Sequence, residues 1–291
     1  KNLKKLKAII NETKPDIIFH LAAQAIVAKS YKDPMSTWVT NNVGMLNLME
    51  TLRTVKKKCS VILITSDKVY KNVEQKKGYK ETDILQGVDP YSASKSCADI
   101  LAQSYIKSVL NNKKNLNFGI ARAGNVIGGG DFSDNRIVPD LIKSVNQKKQ
   151  LILRQPLSTR PWQHVIEIIF GYLIFSKYLF SKNNNLCEIL NFGPIHHNNF
   201  KVIDVVNEAQ KYIKLNYKII SKKKKFKESI LLKLNSSKAY KTLAWKSILN
   251  FNETMKYTME WYQKYPKYSN DQIKLFTQKQ IVRYYNKTNN K

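Results

Sequence analysis

Three short apolar runs, each followed by a longer stretch with apolar residues at helical spacing, leave this chain very few architectures. The runs are Asp16-Ile17-Ile18-Phe19-His20-Leu21, Ser60-Val61-Ile62-Leu63-Ile64 and Leu116 to Ala121. They lack the polar alternation of a strand with one wet face, so each reads as a strand covered on both sides, as in a parallel sheet. The intervening stretches read as helices. Leu3, Leu6, Ile9 and Ile10 mark one over 3–13, which Lys14-Pro15 closes. A long one over 33–57 is expected to turn Trp38, Val43, Leu46 and Met49 inward. A third begins after Pro90, with Ala98, Leu101, Tyr105, Ile106 and Val109 at helical spacing as far as Asn111. Helix and strand in strict alternation specify a doubly wound parallel sheet.

The second half keeps the α/β character but is less regular. Helices are expected over 137–148, 165–181, 201–214 and 252–264, the last with Met255, Met259 and Tyr262 as a core stripe. Leu151-Ile152-Leu153 reads as a strand and Leu190-Asn191-Phe192-Gly193 as a strand end. Gly128-Gly129-Gly130 lacks the Lys-Ser/Thr of a phosphate loop and opens no helix; it reads as a flexible connection into a second lobe. The tail from Pro266 is polar, with Ile273, Phe276, Ile281 and Tyr284 as a weak docking face.

Open α/β sheets bind ligands at the C-terminal ends of their strands. Three such ends carry suggestive residues. The first gives Ala22-Ala23-Gln24, small residues that let a ligand approach the backbone. The second gives Thr65-Ser66-Asp67-Lys68, and the third leads to Asn125. Beyond the second lies Asp89-Pro90-Tyr91-Ser92-Ala93-Ser94-Lys95. Pro90 suits a first helical turn, and residues four apart share a helix face, so a phenol and an ammonium stand side by side. A neighbouring cation favours the phenolate, which tunes tyrosine toward use as a base. Tyr91 and Lys95 alone are a weak signal in a chain with 16 tyrosines; the strand ends strengthen it. Asp67 and Lys68 are alternatively a strand-end ion pair.

Composition narrows the function classes. The net charge of +29 suggests a polyanion partner, yet only six of the 50 basic residues are arginine, the usual reader of bases and phosphates. The lysines are scattered apart from Lys56–Lys58 and Lys222–Lys225, so the excess reads as a bias of the whole chain and nucleic acid is not an expected partner. No apolar run approaches the ~18 to 20 residues that span a bilayer, and no membrane partner is expected. Cys59, Cys97 and Cys187 are widely spaced and do not form a metal-ligand set, so no metal is expected; they fit a reducing, cytoplasmic compartment.

Five stretches carry a resemblance: His20-Leu21-Ala22-Ala23-Gln24, Thr65-Ser66-Asp67-Lys68-Val69-Tyr70, Asp89 to Lys95, Ala121-Arg122-Ala123-Gly124-Asn125 through Asp131, and Arg160-Pro161-Trp162-Gln163-His164. Asn191-Phe192-Gly193-Pro194, the Trp245 region and Thr277 to Ile281 add later matches. In this order the chain resembles the extended short-chain dehydrogenase/reductase family, and within it the CDP-glucose 4,6-dehydratases. The resemblance implies a Rossmann-like NAD-binding domain over 1–130, to which 165–195 return. It implies a smaller substrate lobe from 131–164 and 196–265, a C-terminal tail over 266–291, and a homodimer paired through the helices at 33–57 and 91–111. It implies NAD as cofactor, bound by Ala22, Ala23, Gln24, Asn41, Thr65, Tyr91 and Lys95, and a nucleotide-linked glucose as substrate. For that substrate Arg160 is the best diphosphate contact, because a guanidinium matches phosphate oxygens bidentately; Asn125 and Arg136 join it as substrate contacts, and His164 stands in the same group, more a packed histidine than a catalyst. Tyr91 would take the C4 hydroxyl proton, Lys95 would lower the tyrosine's pKa and bind the nicotinamide ribose, and Ser66 would hydrogen-bond the C4 oxygen. Asp67 as acid at C6 and Lys68 as base at C5 would eliminate water. The product, a 4-keto-6-deoxy sugar nucleotide, would feed deoxysugar synthesis of the kind found in lipopolysaccharide O-antigen. In the thymidine- and guanosine-linked dehydratases a glutamate stands where Lys68 does.

One departure is large. The family opens with a strand, a Gly-rich turn and a helix that hold the NAD pyrophosphate, and Lys1 falls after them. Roughly 60 residues, about two βα units of ~30, are expected to precede this stretch. Without them NAD binding and stability are expected to suffer. The alternatives are another epimerase or reductase of the same fold, or a non-catalytic sugar-nucleotide-binding fragment.

Overall fold

The three apolar runs lie side by side as parallel strands in the computed structural model, which describes residues 2–75, 77–194, 200–220 and 231–289. The Lys222–Lys225 run falls outside the described residues. In chain order the first half holds α1 (Leu3–Thr13), β1 (Ile17–His20), α2 (Val27–Lys32), α3 (Pro34–Trp38), α4 (Gly44–Leu52), β2 (Cys59–Ile64), α5 (Pro90–Ser108) and β3 (Leu116–Ala123). Then come β4 (Val126–Ile127), α6 (Ile137–Asn146), β5 (Leu151–Leu153), β6 (Gln163–His164), α7 (Val165–Phe180) and β7 (Cys187–Phe192). The chain continues with α8 (Val202–Ala209), β8 (Tyr217–Ile219), α9 (Ser237–Leu243), α10 (Phe251–Lys264) and α11 (Asn270–Asn289). Helix starts reflect local chemistry. Asn2, Asp33 and Asn250 each accept a backbone N–H three residues on, and Asp89 accepts from the N–H groups of Tyr91 and Ser92, as good N-caps do.

Two units emerge. The first is Lys1–Ala123, Gly171–Phe192 and Leu234–Trp245; the second is Gly124–Phe170, Gly193–Lys233 and Lys246–Lys291. This division departs from the expected ranges. Gly124–Gly130 pack in the second unit, only Gly171–Phe192 of the expected 165–195 return to the first, 234–245 join the first as well, and the C-terminal stretch packs within the second rather than trailing as a tail.

The first unit is built on a four-stranded parallel sheet, order β1-β2-β3-β7. Alternate residues of β2 and β3 (Val61, Leu63, Phe118, Ile120) share one core with Ile10, the inner face of α4, and Ala98, Ala102 and Ile106 of α5. The opposite face is closed by α7. Gly119 is needed there, because a Cβ would come within 2.5 Å of the Phe175 ring and 2.8 Å of Leu179. Helices thus cover both faces, as the alternation of the sequence requires.

The long helix expected over 33–57 ends at Leu52 and is not uniform. Between α3 and α4, Val39–Val43 form a π turn, which inserts about one extra residue and so rotates the face of α4 by ~100°. Only Met49 of the expected inward set is inside. Trp38, Val43 and Leu46 are all more than a third exposed, while Met45, Leu48 and Leu52 take the core positions. Val109, beyond the last turn of α5, is also exposed.

In the second unit β4 pairs with β6 and β5 with β8, both parallel. Leu141, Leu153, Val205, Val206, Met255 and Met259 lie in its main core, so the stripe on α10 is inside as expected. The three glycines are not a flexible connection. Gly129 lies under the indole of Trp261, where a Cβ would sit 2.1 Å from its Cγ. Gly130 has φ +84°, a conformation that favours glycine. On α11 the docking residues are Thr277, which accepts from Trp261 Nε1 at 3.0 Å, Gln280, which donates to Tyr257 O at 2.8 Å, and the buried Tyr284. Ile281 is exposed instead.

Glu167, on the first turns of α7, is fully buried. Its Oε1 accepts from the N–H groups of Ile248 and Leu249 at 2.5 and 2.8 Å, while Oε2 has no hydrogen-bond partner among the described residues. Burial raises its pKa from 4.5 to about 7 against the two N–H groups; Glu253 adds to the rise and Lys287 opposes it. The folded protein therefore holds a proton that the unfolded chain has released. Stability from this group is full below the ordinary carboxylate pKa and is lost as pH rises through about 7. Glu167→Gln keeps the acceptor and removes the charge. Its thermal unfolding is expected to match the parent at pH 4 and exceed it at pH 8, by on the order of 3 kcal/mol; identical pH dependence in parent and variant would contradict the assignment.

Candidate functional site

The end of β2 and the start of α5 are tied together by a buried lysine. Asp89 and Pro90 set the first turn of α5, which places Tyr91 and Lys95 one turn apart, both buried. Lys95 Nζ donates to the carbonyl of Ile64, the last residue of β2, at 3.0 Å. Burial lowers the Lys95 pKa to about 8, while Asp99 pulls it upward. The ammonium thus persists at neutral pH beside the phenol. Burial, and then the charge of Lys95, lowers the His20 pKa to about 4, so this imidazole at the end of β1 is neutral.

The strand-end residues form a tight turn. Ser66 begins a 3₁₀ turn over Asp67–Val69. Its Oγ donates to Asp67 Oδ1 at 3.0 Å and accepts from Lys68 N at 3.2 Å. Ser66 and Asp67 are buried and Lys68 is half-buried. To donate to a substrate oxygen, the Ser66 hydroxyl must turn away from Asp67. Thr65 departs from its expected place toward a cofactor. Its hydroxyl points inward and donates to Asp99 Oδ2 at 2.9 Å.

At the end of β1, Ala22 is exposed, Ala23 half-buried and Gln24 buried. Asn41 holds this loop from inside the π turn. Its Oδ1 accepts from Gln24 N at 2.8 Å, and its Nδ2 donates to Gln24 O at 3.2 Å and to Ser94 Oγ at 2.8 Å. Ser94 Oγ in turn donates to Tyr91 O at 2.8 Å. The π turn, a feature often found at functional sites, thus connects the loop after β1 to the turn carrying Tyr91. Gln24 is equally engaged, with Thr37 and with Ile26. Asn41 and Gln24 shape the loop and do not present free side-chain groups to a ligand.

Tyr91, Lys95, Ser66, Asp67, Lys68, Thr65, Ala22, Ala23, Gln24 and Asn41 all fall in the first unit; Asn125, Arg136, Arg160 and His164 fall in the second. Asn125 O accepts from Gln163 N at 3.1 Å. Arg136 is partly exposed and 3.6 Å from Asp131 Oδ2. Arg160 is buried and donates from Nη1 to Thr159 O at 2.8 Å. His164 is not placed as a substrate contact. It is buried in β6, its Nδ1 accepts from Ile166 N at 3.2 Å, and its ring lies 5.5 Å from that of Tyr257. Burial, with Arg283, lowers its pKa to about 3, so it is a neutral, structural side chain. Among the described residues no group of three or more His, Cys, Asp or Glu side chains could hold a metal ion.

Sequence reasoning missed the layer beneath the site. Asp99, Arg122, Tyr70, Glu81 and Asn191 form a connected polar group under it. The available signal was a charge at inward-facing positions: Asp99 one turn after Lys95, and Arg122 within an apolar strand.

Known proteins match over most of the chain. The family model for GDP-mannose 4,6 dehydratase matches residues 1–258. The CDP-glucose 4,6-dehydratase of Salmonella typhimurium is 37% identical over 271 residues, covering 90% of this chain and 75% of that protein. The UDP-glucose 4-epimerase of Mycoplasma genitalium is 24% identical, covering 90% and 79%. Among solved structures, the dTDP-glucose 4,6-dehydratase of Bacillus anthracis in complex with NAD superimposes with TM-score 0.73 at 21% identity, covering 90% of this chain and 77% of that one. The UDP-glucuronic acid 4-epimerase of Bacillus cereus, in complex with UDP-glucuronic acid and NAD, gives 0.77 at 19% identity, covering 91% and 81%. At these identities the solved structures establish a shared fold.

The strut through Asn41 is directly testable. Asn41→Ala leaves Gln24 N and O unsatisfied in a buried position, which is expected to cost about 2 kcal/mol or more in urea unfolding. The amide of Gln24 is expected to exchange with deuterium faster in the variant; unchanged exchange would mean that the loop is held by other contacts.

Proposed function

The chain belongs to the GDP-mannose 4,6-dehydratase family, and from that membership we propose that it dehydrates a nucleotide-linked glucose, CDP-D-glucose in the first instance, to the 4-keto-6-deoxy sugar nucleotide. The 37% identity to a CDP-glucose 4,6-dehydratase supports the choice of nucleotide. The single observation that carries the chemistry is the buried Tyr91/Lys95 turn, anchored by Lys95 Nζ on the carbonyl that ends β2.

The residues fit the nicotinamide end of NAD. Ala22 and Ala23 leave backbone approachable at the end of β1, and Asn41 fixes that loop to the turn of Tyr91. Lys95 brings a cation to the same place, suited to ribose hydroxyls. When bound, NAD supplies a hydride acceptor for C4 and a hydride donor for C6.

The protein's own groups move the protons. Tyr91, as phenolate beside the Lys95 ammonium, takes the C4 hydroxyl proton. Ser66, once rotated from Asp67, hydrogen-bonds the C4 oxygen. A ketone at C4 acidifies the C5 proton, which Lys68, entering as the free amine, removes as base to become the ammonium. Asp67, held out of water at the head of its turn, protonates the departing C6 hydroxyl. In the second unit the buried guanidinium of Arg160 supports a diphosphate contact, with Asn125 and Arg136 toward the rest of the nucleotide. The first unit is accordingly the cofactor domain and the second the substrate lobe.

A homodimer is supported by apolar side chains left outside on the helices of the first unit: Met35, Trp38, Val43 and Leu46, with Ile100 on α5. No helix among the described residues is long and apolar enough to cross a membrane. The three free cysteines support a cytoplasmic location, and a product of this kind suits deoxysugar synthesis for O-antigen.

The test incubates the protein with NAD and CDP-glucose and monitors the alkaline absorbance of the 4-keto product. Turnover is expected, and Tyr91→Phe is expected to lower kcat by about 10²- to 10⁴-fold, the usual contribution of a positioned general base. No product from CDP-, dTDP- or GDP-linked sugars would sink the reading; CDP-galactose in place of the keto sugar would make the protein an epimerase.

A further inference from the structure

Directly beneath Lys95, one turn along α5, Asp99 is completely buried, and both of its oxygens are engaged. Oδ2 accepts from Thr65 Oγ1 at 2.9 Å and from Arg122 Nε at 2.9 Å. Oδ1 accepts from Arg122 Nη2 at 2.8 Å and from Gln103 Nε2 at 2.7 Å. Arg122 is held in turn: its Nη1 donates to Tyr70 Oη and to Glu81 O, each at 3.0 Å. A buried ion pair of this kind is weak evidence for stability, since an apolar pair of similar volume often serves as well. Its position suggests another use. Thr65 directly precedes Ser66, and Lys95 Nζ bonds the carbonyl of Ile64, the residue before Thr65.

We propose that Asp99 is a positioning residue for the Tyr91/Lys95 site. Its carboxylate, clamped by Arg122, ties the end of β2 to α5 and sets a fixed negative charge one turn behind the Lys95 ammonium. The proposal rests on the dehydratase reading for its kinetic consequence, and its electrostatic consequence can be read without turnover.

The physics opposes burial to charge. Burial strips solvent from the lysine and favours its neutral form, and Asp99 works against this. The other groups facing Lys95 do not replace it. His20, at the end of β1, is neutral, and Tyr91, on the same helix, is the group that exchanges a proton in the proposed reaction and so supplies no fixed charge. The groups facing Asp99 are Arg122 on β3, Thr65 after β2, Gln103 on α5 and the neutral thiol of Cys187 on β7, whose pKa the charge of Asp99 helps to raise. Arg122 pairs with the carboxylate through Nε and Nη2. Among these groups Asp99 is the one whose charge works to hold the proton on Lys95, and a cation beside a phenol favours its phenolate form.

The experiment labels the protein with lysine carrying ¹³C at Cε. The Lys95 signal is identified by its loss in Lys95→Arg, and its titration midpoint is measured in the parent, in Asp99→Asn and in Asp99→Asn/Arg122→Gln. The double variant replaces the ion pair by two amides that can still bond each other, so no cation is left buried alone if the single variant fails to fold. The parent midpoint is expected near 8, and both variants are expected lower by about one pH unit. With CDP-glucose and NAD, the alkaline limb of the kcat–pH profile is expected to move down with the midpoint. Thr65→Val, which removes a hydrogen bond but no charge, is expected to lower kcat without moving the limb. A folded variant whose Lys95 midpoint stays at the parent value overturns the proposal, whatever its activity. A midpoint that moves in a protein that dehydrates no nucleotide sugar upholds the role of Asp99 and removes the function assigned to the site.

Discussion

The buried contact between Arg122 and Asp99 is the constraint on which the first unit depends. The guanidinium lies inside a sheet otherwise lined with Val, Ile, Leu and Phe, and it is 1% exposed. A charge in that place is tolerable only when it is paired and hydrogen-bonded. The carboxylate of Asp99, the hydroxyl of Tyr70 and the carbonyl of Glu81 take four hydrogen bonds from its five N–H groups. Tyr70 Oη passes the contact on to Asn191 on β7, and Asn191 Nδ2 reaches the carbonyls of Tyr79 and Asn235. The loop after β2, the end of β7 and the segment entering α9 are thus located by one chain of hydrogen bonds. Such a chain has little freedom to shift in part, because any displaced member leaves a buried polar atom without a partner.

What the sequence made legible was whatever a periodic pattern or a backbone constraint encodes. The three runs became β1, β2 and β3, and Pro90 opened α5, because apolar spacing and proline geometry act locally. The Tyr91/Lys95 pair and the Ser66-Asp67-Lys68 turn were legible for the same reason: their spacing alone puts them at a helix start and a strand end. The π turn was not legible. Val39-Thr40-Asn41-Asn42-Val43 carries no local mark of a wider turn, and its cause is tertiary, the fit of Asn41 between Gln24 and Ser94. One uncounted residue was enough to turn Trp38, Val43 and Leu46 from expected core to surface.

The direction of a side chain was the other limit. Thr65 and Ser66 are neighbours at a strand end, so alternation sends them to opposite sides. Sequence alone does not say that Asp99 waits on the Thr65 side. Gly129 was misread for a related reason. A run of glycines suggests freedom when nothing is known to lie above it, and here Trp261, 132 positions later in the chain, fills the space a side chain would need. The histidine in Arg160 to His164 shows the converse: its motif is specific, yet its ring is buried against Tyr257 with Nδ1 accepting from Ile166 N.

The order of strands also sets a timetable for the growing polypeptide. β3 ends at Ala123, and its neighbour in the sheet, β7, begins only at Cys187. The residues made in the interval include a large part of the second unit. During synthesis the β3 edge, with its buried Phe118 and Ile120, must therefore wait unpaired until that stretch has left the ribosome. Asn191, which completes the polar chain from Arg122, arrives later still, and its partner Asn235 last. Long-range parallel pairing of this sort is slow and leaves apolar edges open to other chains. The sheet is therefore completed late, and until then the β3 edge is an open template for pairing with another chain.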